Sequence, residues 1–562
     1  MKKRYLLGFL ITVIFVLPSF GKQKQKFKPI PSWVSTSTFY QIYPQSFQDT
    51  DGDGIGDIQG IIDRLDYLKW LGIDALWLNP CFESEFKDAG YDVTDYYKVA
   101  SRYGTNADIQ RLFAEAKKRN MRVCLDLVAG HTSDKHPWFL ESKKNSKNEF
   151  SDRYIWTNDS TLRPEPKFVS GNYERNGSYR KNFFDCQPAL NFGYANPDKN
   201  KEWEQSTSAV GPQATRKELM NIIDYWMEMG ADGFRVDMAH SLIKNDTDFA
   251  ETNKLWHEIR THFQDKFPEG VLIAEWGNPA KSVKAGFMFD FIIHIGSSAY
   301  SSMFFNNIGT YTRDVCYFSL EGTGTPTKFK NYYIEQLEEI GDDGFTCYPT
   351  ANHDFQRPNS GNRNTVEQLK VAMTFFLTLP SIPLIYYGDE IGMKYIPGLP
   401  DKEGSMLKKG NRAGTRTPMQ WDSSVKAGFS TATLDDFYLP LDPDEFRPNV
   451  EDQKNNPTSL LNFTRNLLHF RKTTDAFSLN NNIEFLYAEE NSYPLVYKRF
   501  NQKEEYCVVL NPSGKRQTTF VAGNYKKVTP ILVERCRIEV GVRGLNVSSD
   551  GVSYGIFKIE KE

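Results

Sequence analysis

The chain has 562 residues, enough for three or four domains at about 150 residues each. Forty per cent of residues are hydrophobic and 25% are charged, near the globular average, which excludes a largely disordered chain and a polytopic membrane protein. Lys plus Arg is 68 against 71 for Asp plus Glu, a net charge of −3, so the basic footprint of a nucleic-acid binder is missing and no nucleic-acid partner is expected.

The first 21 residues read as a secretory signal peptide. Lys2, Lys3 and Arg4 are followed by an apolar run from Leu6 to Leu17; Pro18 breaks it, and Ser19-Phe20-Gly21 offers small residues for a cut after Gly21. The run is too short to cross a bilayer comfortably. The expectation is an exported protein, periplasmic or extracellular, with no membrane contact once the leader is removed. Seven Cys (81, 124, 186, 316, 347, 507, 536) are widely scattered without CxxC spacing, so neither a zinc site nor a disulfide framework can be read.

Downstream, short apolar runs alternate with helical patterns. Strands are predicted near Thr38–Phe47, Ala75–Pro80, Arg122–Val128, Gly233–Met238, Val271–Trp276, Phe287–Ile292, Phe345–Asp354 and Pro383–Glu390. Leu219, Ile222, Ile223 and Trp226 recur at helical spacing ahead of the fourth strand, as do Ile58, Ile61, Ile62, Leu65 and Leu68 ahead of the second. Eight strands each followed by helix fit a (β/α)8 barrel in the α/β class better than a doubly wound sheet. The polar stretch after the third strand is too long for an ordinary loop and reads as an inserted subdomain. The predicted organisation is a barrel over 33–130 and 206–476, an insertion over 131–205, a closing helix from Thr458 to Arg471, and an all-β sandwich over 477–562.

In DTDGDGIGD (49–57), Asp49, Asp51, Asp53 and Asp57 alternate with tight-turn glycines. With the backbone carbonyl of Ile55, these hard oxygen donors suit one structural Ca2+, or Mg2+ in the same place. Gly60 stands where an EF-hand has its bidentate Glu, so that motif is excluded.

The remaining polar residues cluster at strand ends, where a barrel builds its active site. Asp126 and His131 end the third strand and its loop, Arg235 and Asp237 the fourth, Glu275 the fifth, and His353 and Asp354 the seventh. Three carboxylates in one cleft repel one another, which pushes their pKa values apart and lets one act as an acid while another stays ionised, as glycoside hydrolysis needs. Arg235 and Asp237 share one face of their strand, so the arginine is expected to keep Asp237 ionised.

DLVAGH (126–131), GFRVDMAH (233–240), IAEW (273–276) and TANHD (350–354), with QPALN (187–191), resemble the short catalytic regions of glycoside hydrolase family 13, the α-amylase family, in order and over essentially the whole mature chain. GYDVTDY (90–96), TSDKHPWF (132–139), PLIYYGDEIGM (383–393) and RTPMQWD (416–422) resemble its oligo-1,6-glucosidase, α-glucosidase and trehalose-synthase side. The resemblance implies Asp237 as nucleophile, Glu275 as general acid and base, and Asp354 as the third catalytic carboxylate. It implies that His131 and His353 donate hydrogen bonds to the sugar, that Tyr91 stacks under it, and that Asp88 and Arg416 clamp its non-reducing end. It also identifies DTDGDGIGD as a calcium loop.

Departures matter as well. Gly130 precedes His131 where the family usually has Asn, which removes a ligand of a second calcium. Ala189 replaces an Asp of the fifth region, and Met238 after the nucleophile leaves α-1,4 against α-1,6 preference open. The implied function is an exported retaining hydrolase of α-glucan oligosaccharides. A trehalose-synthase-like glucosyltransferase, an endo-acting amylase and a catalytically silent glucan-binding module are the alternatives. Oligomeric state is not legible.

Overall fold

In the computed structural model, residues 27–163, 165–305, 316–399, 402, 412–480 and 482–561 are described. The predicted signal peptide lies outside them. Eight parallel strands close a barrel: β1 (Phe39–Ile42), β2 (Ala75–Leu78), β3 (Arg122–Leu127), β4 (Gly233–Val236), β5 (Val271–Ala274), β6 (Phe289–Phe291), β7 (Phe345–Pro349) and β8 (Ile382–Tyr386). The first seven lie inside their predicted ranges, and β8 begins one residue ahead of its own. β1 pairs with both β2 and β8, which closes the ring. The strands are almost wholly buried, as a barrel wrapped by helices requires.

Side-chain alternation divides the barrel interior into an apolar floor and a polar mouth. Phe39 packs on Phe289 at 5.3 Å between ring centroids and Trp77 stacks on Phe291 at 5.4 Å, filling the lower layers. Continuing those inward-facing rows brings Gln41, Asn79, Asp126, Arg235, Asp237 and Glu275 to the C-terminal ends. Register does the rest. Asp126 lies opposite Arg235 and Arg235 opposite Ile273, so two residues further on the same pairing sets Asp237 beside Glu275.

The helices that fix these strands have local reasons to form. Asn106–Lys118 starts with a capping box of Thr105 and Asp108, and Val366–Thr378 with one of Thr365 and Gln368. Val210–Met229 buries Leu219, Ile222, Ile223 and Trp226 as one stripe and stops at left-handed Gly230. Leu460–Thr473 covers the barrel after β8.

Between β3 and β4 the long insertion carries, among the described residues, the short helix Pro137–Ser142 and one small hairpin, Phe168–Val169 with Tyr179–Arg180. An aromatic nest of Phe139, Tyr154, Trp156 and Tyr179 holds it together. Beyond the barrel, β9 (Asn482–Tyr487), β10 (Leu495–Phe500), β11 (Glu505–Asn511), β12 (Gln517–Ala522), β13 (Tyr525–Gly541) and β14 (Gly544–Lys561) form one antiparallel sheet. Its two faces alternate. Leu495, Tyr497, Val508, Leu510 and Ile556 join the main core, while Val496, Cys507, Val509, Phe557 and Ile559 build a second one. The seven cysteines are free thiols, five of them buried. Among the described residues no helix is long and apolar enough to cross a membrane.

Gly233 opens the strand that carries Arg235 and Asp237. Its φ is +154°, and a Cβ there would stand 2.2 Å from the Val271 carbonyl of the next strand. Gly233→Ala should therefore cost about 1–3 kcal/mol of overpacking and lower activity with it. Urea unfolding and initial rates would show this; unchanged values for both would mean the two strands do not approach so closely.

Candidate active site

Arg235 is the centre of the barrel mouth. It is 1% exposed, and its Nη1 lies 2.7 Å from Asp126 Oδ1 and 3.2 Å from Asp237 Oδ1, while Nη2 lies 2.6 Å from Glu275 Oε1. The second oxygen of Asp126 accepts from Trp77 Nε1 at 3.1 Å and Tyr91 Oη at 3.0 Å. The second oxygen of Glu275 accepts from the Met238 amide at 3.0 Å. Met238 has φ +43°, a left-handed conformation rare for a residue with a Cβ, and this turn directs its N–H toward Glu275.

One guanidinium cannot balance three carboxylates. Burial, then the Glu275 charge, holds Asp237 well above the usual carboxylate range, and Arg235 only partly offsets this. Burial likewise pushes Asp126 up to about 6 despite its ion pair. The expectation that Arg235 keeps Asp237 ionised is thus corrected, because the arginine divides its charge among three partners.

Asp354 is held the opposite way. Its Oδ1 lies 2.6 Å from Arg412 Nη1 and 3.2 Å from Arg416 Nη2, and its Oδ2 lies 3.3 Å from His353 Nε2. Burial would raise its carboxyl, but His353, Arg412 and Arg416 outweigh that and hold it well below the usual range. The mouth thus combines a carboxylate locked in its ionised form with one pushed toward its neutral form, as acid–base chemistry on one substrate requires.

The histidines differ from expectation. His353 accepts at Nδ1 from the amides of Gln41 (3.0 Å) and Asn79 (3.1 Å), so its proton sits on Nε2, which faces Tyr91 Oη at 2.9 Å. Burial keeps it neutral by driving its pKa well below the ordinary value. His131 uses both ring nitrogens on the protein: Nε2 donates to the Tyr91 carbonyl at 3.0 Å and Nδ1 accepts from Asn182 at 3.0 Å. It therefore has no N–H left for a sugar, and instead fixes Tyr91, whose ring stacks on His353 at 5.5 Å between centroids. Burial lowers His131 to about 4, so it too is neutral.

Arg412, not Arg416, is the arginine that faces Asp88. Asp88 Oδ2 accepts from Gln187 Nε2 at 2.7 Å, and its Oδ1 faces Arg412 Nη2 at 3.8 Å. Neither of those last two atoms has a hydrogen-bond partner among the described residues. Arg416 does not reach Asp88. Its Nε donates to the His353 carbonyl at 2.7 Å and its guanidinium lies over Tyr43, so it braces the loop after β7. Arg412 precedes RTPMQWD by four residues; the sequence offers two arginines there, and only the loop's path decides which reaches inward. The roles of Gln41, Asn79 and Gln187 are not legible in the sequence either, although Gln187 opens the QPALN motif. Gln41 and Asn79 do carry a signal, as amides in the inward-facing rows of β1 and β2.

Away from the mouth, carboxylate oxygens of Asp49, Asp51 and Asp57 lie within 4.8 Å of one another. Asp53 is exposed and lies outside that trio, and Ile55 donates its N–H to the Asp53 side chain at 2.8 Å. Partial burial, then the charges of Asp51, Asp49 and Asp57, raises Asp53; burial raises Asp57. Converging hard oxygens whose mutual repulsion a cation would relieve are the donor set Ca2+ takes.

This geometry agrees with the comparisons. The alpha amylase catalytic domain matches residues 41–480. The chain belongs to the α-amylase family of glycoside hydrolases, family 13. Trehalose synthase/amylase TreS of Mycobacterium tuberculosis is 32% identical over 492 residues, covering 80% of this chain and 76% of the relative. Oligo-1,6-glucosidase of Heyndrickxia coagulans is 31% identical over 543 residues, covering 86% and 92%. Among solved structures, isomaltulose synthase of Erwinia rhapontici superposes with a TM-score of 0.77 at 26% identity, covering 95% of this chain and 100% of that one. This family 13 chain is a glycosidase with α-glucosidase and trehalose-synthase homologues.

Arg235→Gln should lower kcat by about a hundredfold or more and unfolding free energy by about 3–5 kcal/mol, since buried carboxylates lose their cation. Losing that positive charge raises the carboxyl pKa values further, so the acid limb of kcat/KM should move to higher pH. A profile with its acid limb in place would show that Arg235 does not set these ionisations.

Proposed function

We propose that this chain is an exported, retaining α-glucosidase acting on malto- or isomalto-oligosaccharides, with one structural Ca2+. The observation that carries the reading is the Asp88–Arg412–Asp354 chain beside Asp237 and Glu275. Arg412 joins Asp354 at 2.6 Å to Asp88 at 3.8 Å, and such a bridge closes the cleft into a pocket fitted to a terminal glucose. Planar guanidinium and carboxylate groups suit its vicinal hydroxyls.

In this reading Asp237 attacks the anomeric carbon as the glycosidic bond breaks. Substrate entry moves the proton from Asp237 to Glu275, which gives it from the Arg235 fork to the departing oxygen. Asp354 with Arg412 and Arg416 holds ring hydroxyls through the distorted transition state. The Glu275 carboxylate then takes a proton from water, and the resulting hydroxide equivalent cleaves the glucosyl ester with net retention.

The 32% identity to a trehalose synthase/amylase favours a second reading, in which the released sugar rebinds and attacks in place of water. Incubation with maltose separates the two: free glucose as the main product supports the first, and accumulation of trehalose would replace it with the second.

Asp49, Asp51 and Asp57, joined by Asp53 and the Ile55 carbonyl after a local adjustment, would hold the ion. Chelation should lower Tm, and Ca2+ at about a hundredfold over its Kd should restore about 2.7 kcal/mol. A Tm indifferent to both would exclude a structural ion there. Sequencing the mature N-terminus tests the leader: a start at Lys22 supports export, and an intact Met1 argues against it.

A further inference from the structure

Glu275 is followed by three peptides that are held from two sides. On β6, Phe289 and Phe291 turn into the barrel, so Asp290 between them turns outward toward the helix layer. Asp290 is 0% exposed. Its Oδ1 accepts the N–H groups of Trp276 at 3.0 Å, Gly277 at 3.4 Å and Phe291 at 2.7 Å, and its Oδ2 accepts that of Asn278 at 3.0 Å. Only an acceptor-only carboxylate can satisfy four converging donors in this way. From the other side, Tyr332 on the helix Thr327–Ile340 donates its hydroxyl to the Gly277 carbonyl at 2.8 Å. Gly277 has φ +73°, and a Cβ there would meet the Ile295 carbonyl at 2.7 Å, so the loop has little room to move.

Glu275 is tied to β4 through its N–H to the Val236 carbonyl at 3.0 Å and its carbonyl to the Ala239 N–H at 3.1 Å, and its carboxyl meets Arg235 Nη2 at 2.6 Å and the Met238 amide at 3.0 Å. The backbone from which that side chain leaves is fixed on its other side by the peptides that follow, and Asp290 and Tyr332 hold those. We propose that Asp290, seconded by Tyr332, is a positioning residue for Glu275: the two clamp Trp276–Asn278 so that the Glu275 carboxyl stays at the Arg235 fork, within reach of the glycosidic oxygen. This rests on the reading of Glu275 as the acid/base. An error of about 1 Å in such a group can cost about a hundredfold in rate.

Asp290→Asn keeps the shape but turns one acceptor into a donor facing the loop amides. Across a series of aryl α-glucosides, kcat/KM, which reports the bond-breaking first step, should fall about tenfold or more for a phenyl leaving group. It should stay within about threefold for a dinitrophenyl one, which departs without protonation. An equal fall across the series, or a lowered Tm with unchanged kcat/KM, overturns the proposal, because a merely structural role does not select by leaving group. Glu275→Gln run alongside separates the two levels of the claim. Steep dependence there and none in Asp290→Asn overturns the clamp alone; flat behaviour in both overturns the acid/base reading and the clamp with it. Should Asp290→Asn not fold, Tyr332→Phe frees the other side of the same peptide and is judged by the same outcomes.

Discussion

The site is organised by a shortage of positive charge. Three strand ends bring Asp126, Asp237 and Glu275 to one buried guanidinium, with contacts of 2.7, 3.2 and 2.6 Å. Arg235 can neutralise only one of them, and burial leaves the others poorly screened. Burial with the Glu275 charge therefore holds Asp237 well above the usual carboxylate range. At Asp354 the balance reverses, since two arginines, one of them shared with Asp88, meet a single carboxylate beside the His353 ring. The contrast follows from the barrel: strand alternation and register decide which acids share a cation.

Much of this was legible in the sequence for that reason. Period-two alternation sends Arg235 and Asp237 to one face whatever the loops do, and apolar runs of β-branched and aromatic residues locate β1 to β8 without ambiguity of type. Among the C-terminal strands, β10 and β11 are buried on both faces, and their short runs of β-branched and aromatic residues make them legible. The β6 Asp sits in an alternating pattern, between two inward-facing Phe residues, yet its task depends on four backbone amides that only the folded loop brings together.

What could not be read belongs to loops and to shared hydrogen bonds. Arg412 and Arg416 are chemically alike and four residues apart, and only the path between β8 and RTPMQWD sends the first to Asp88 and the second to the His353 carbonyl. His131 looks like a sugar ligand by motif, but the Tyr91 carbonyl and Asn182 occupy both its nitrogens. The left-handed Met238, which turns its amide to Glu275, is equally silent in composition. In the acidic loop, alternation alone groups four aspartates, whereas the folded turn draws three together.

The central claim is that the carboxylate at the Arg235 fork with the raised pKa, Asp237, is the group that bonds to the sugar. Trapping with a fluorinated α-glucosyl fluoride, followed by digestion and mass spectrometry, tests it directly. The account predicts one glucosyl ester, on Asp237. An ester on Glu275 or Asp354, or turnover through no covalent intermediate at all, would contradict it.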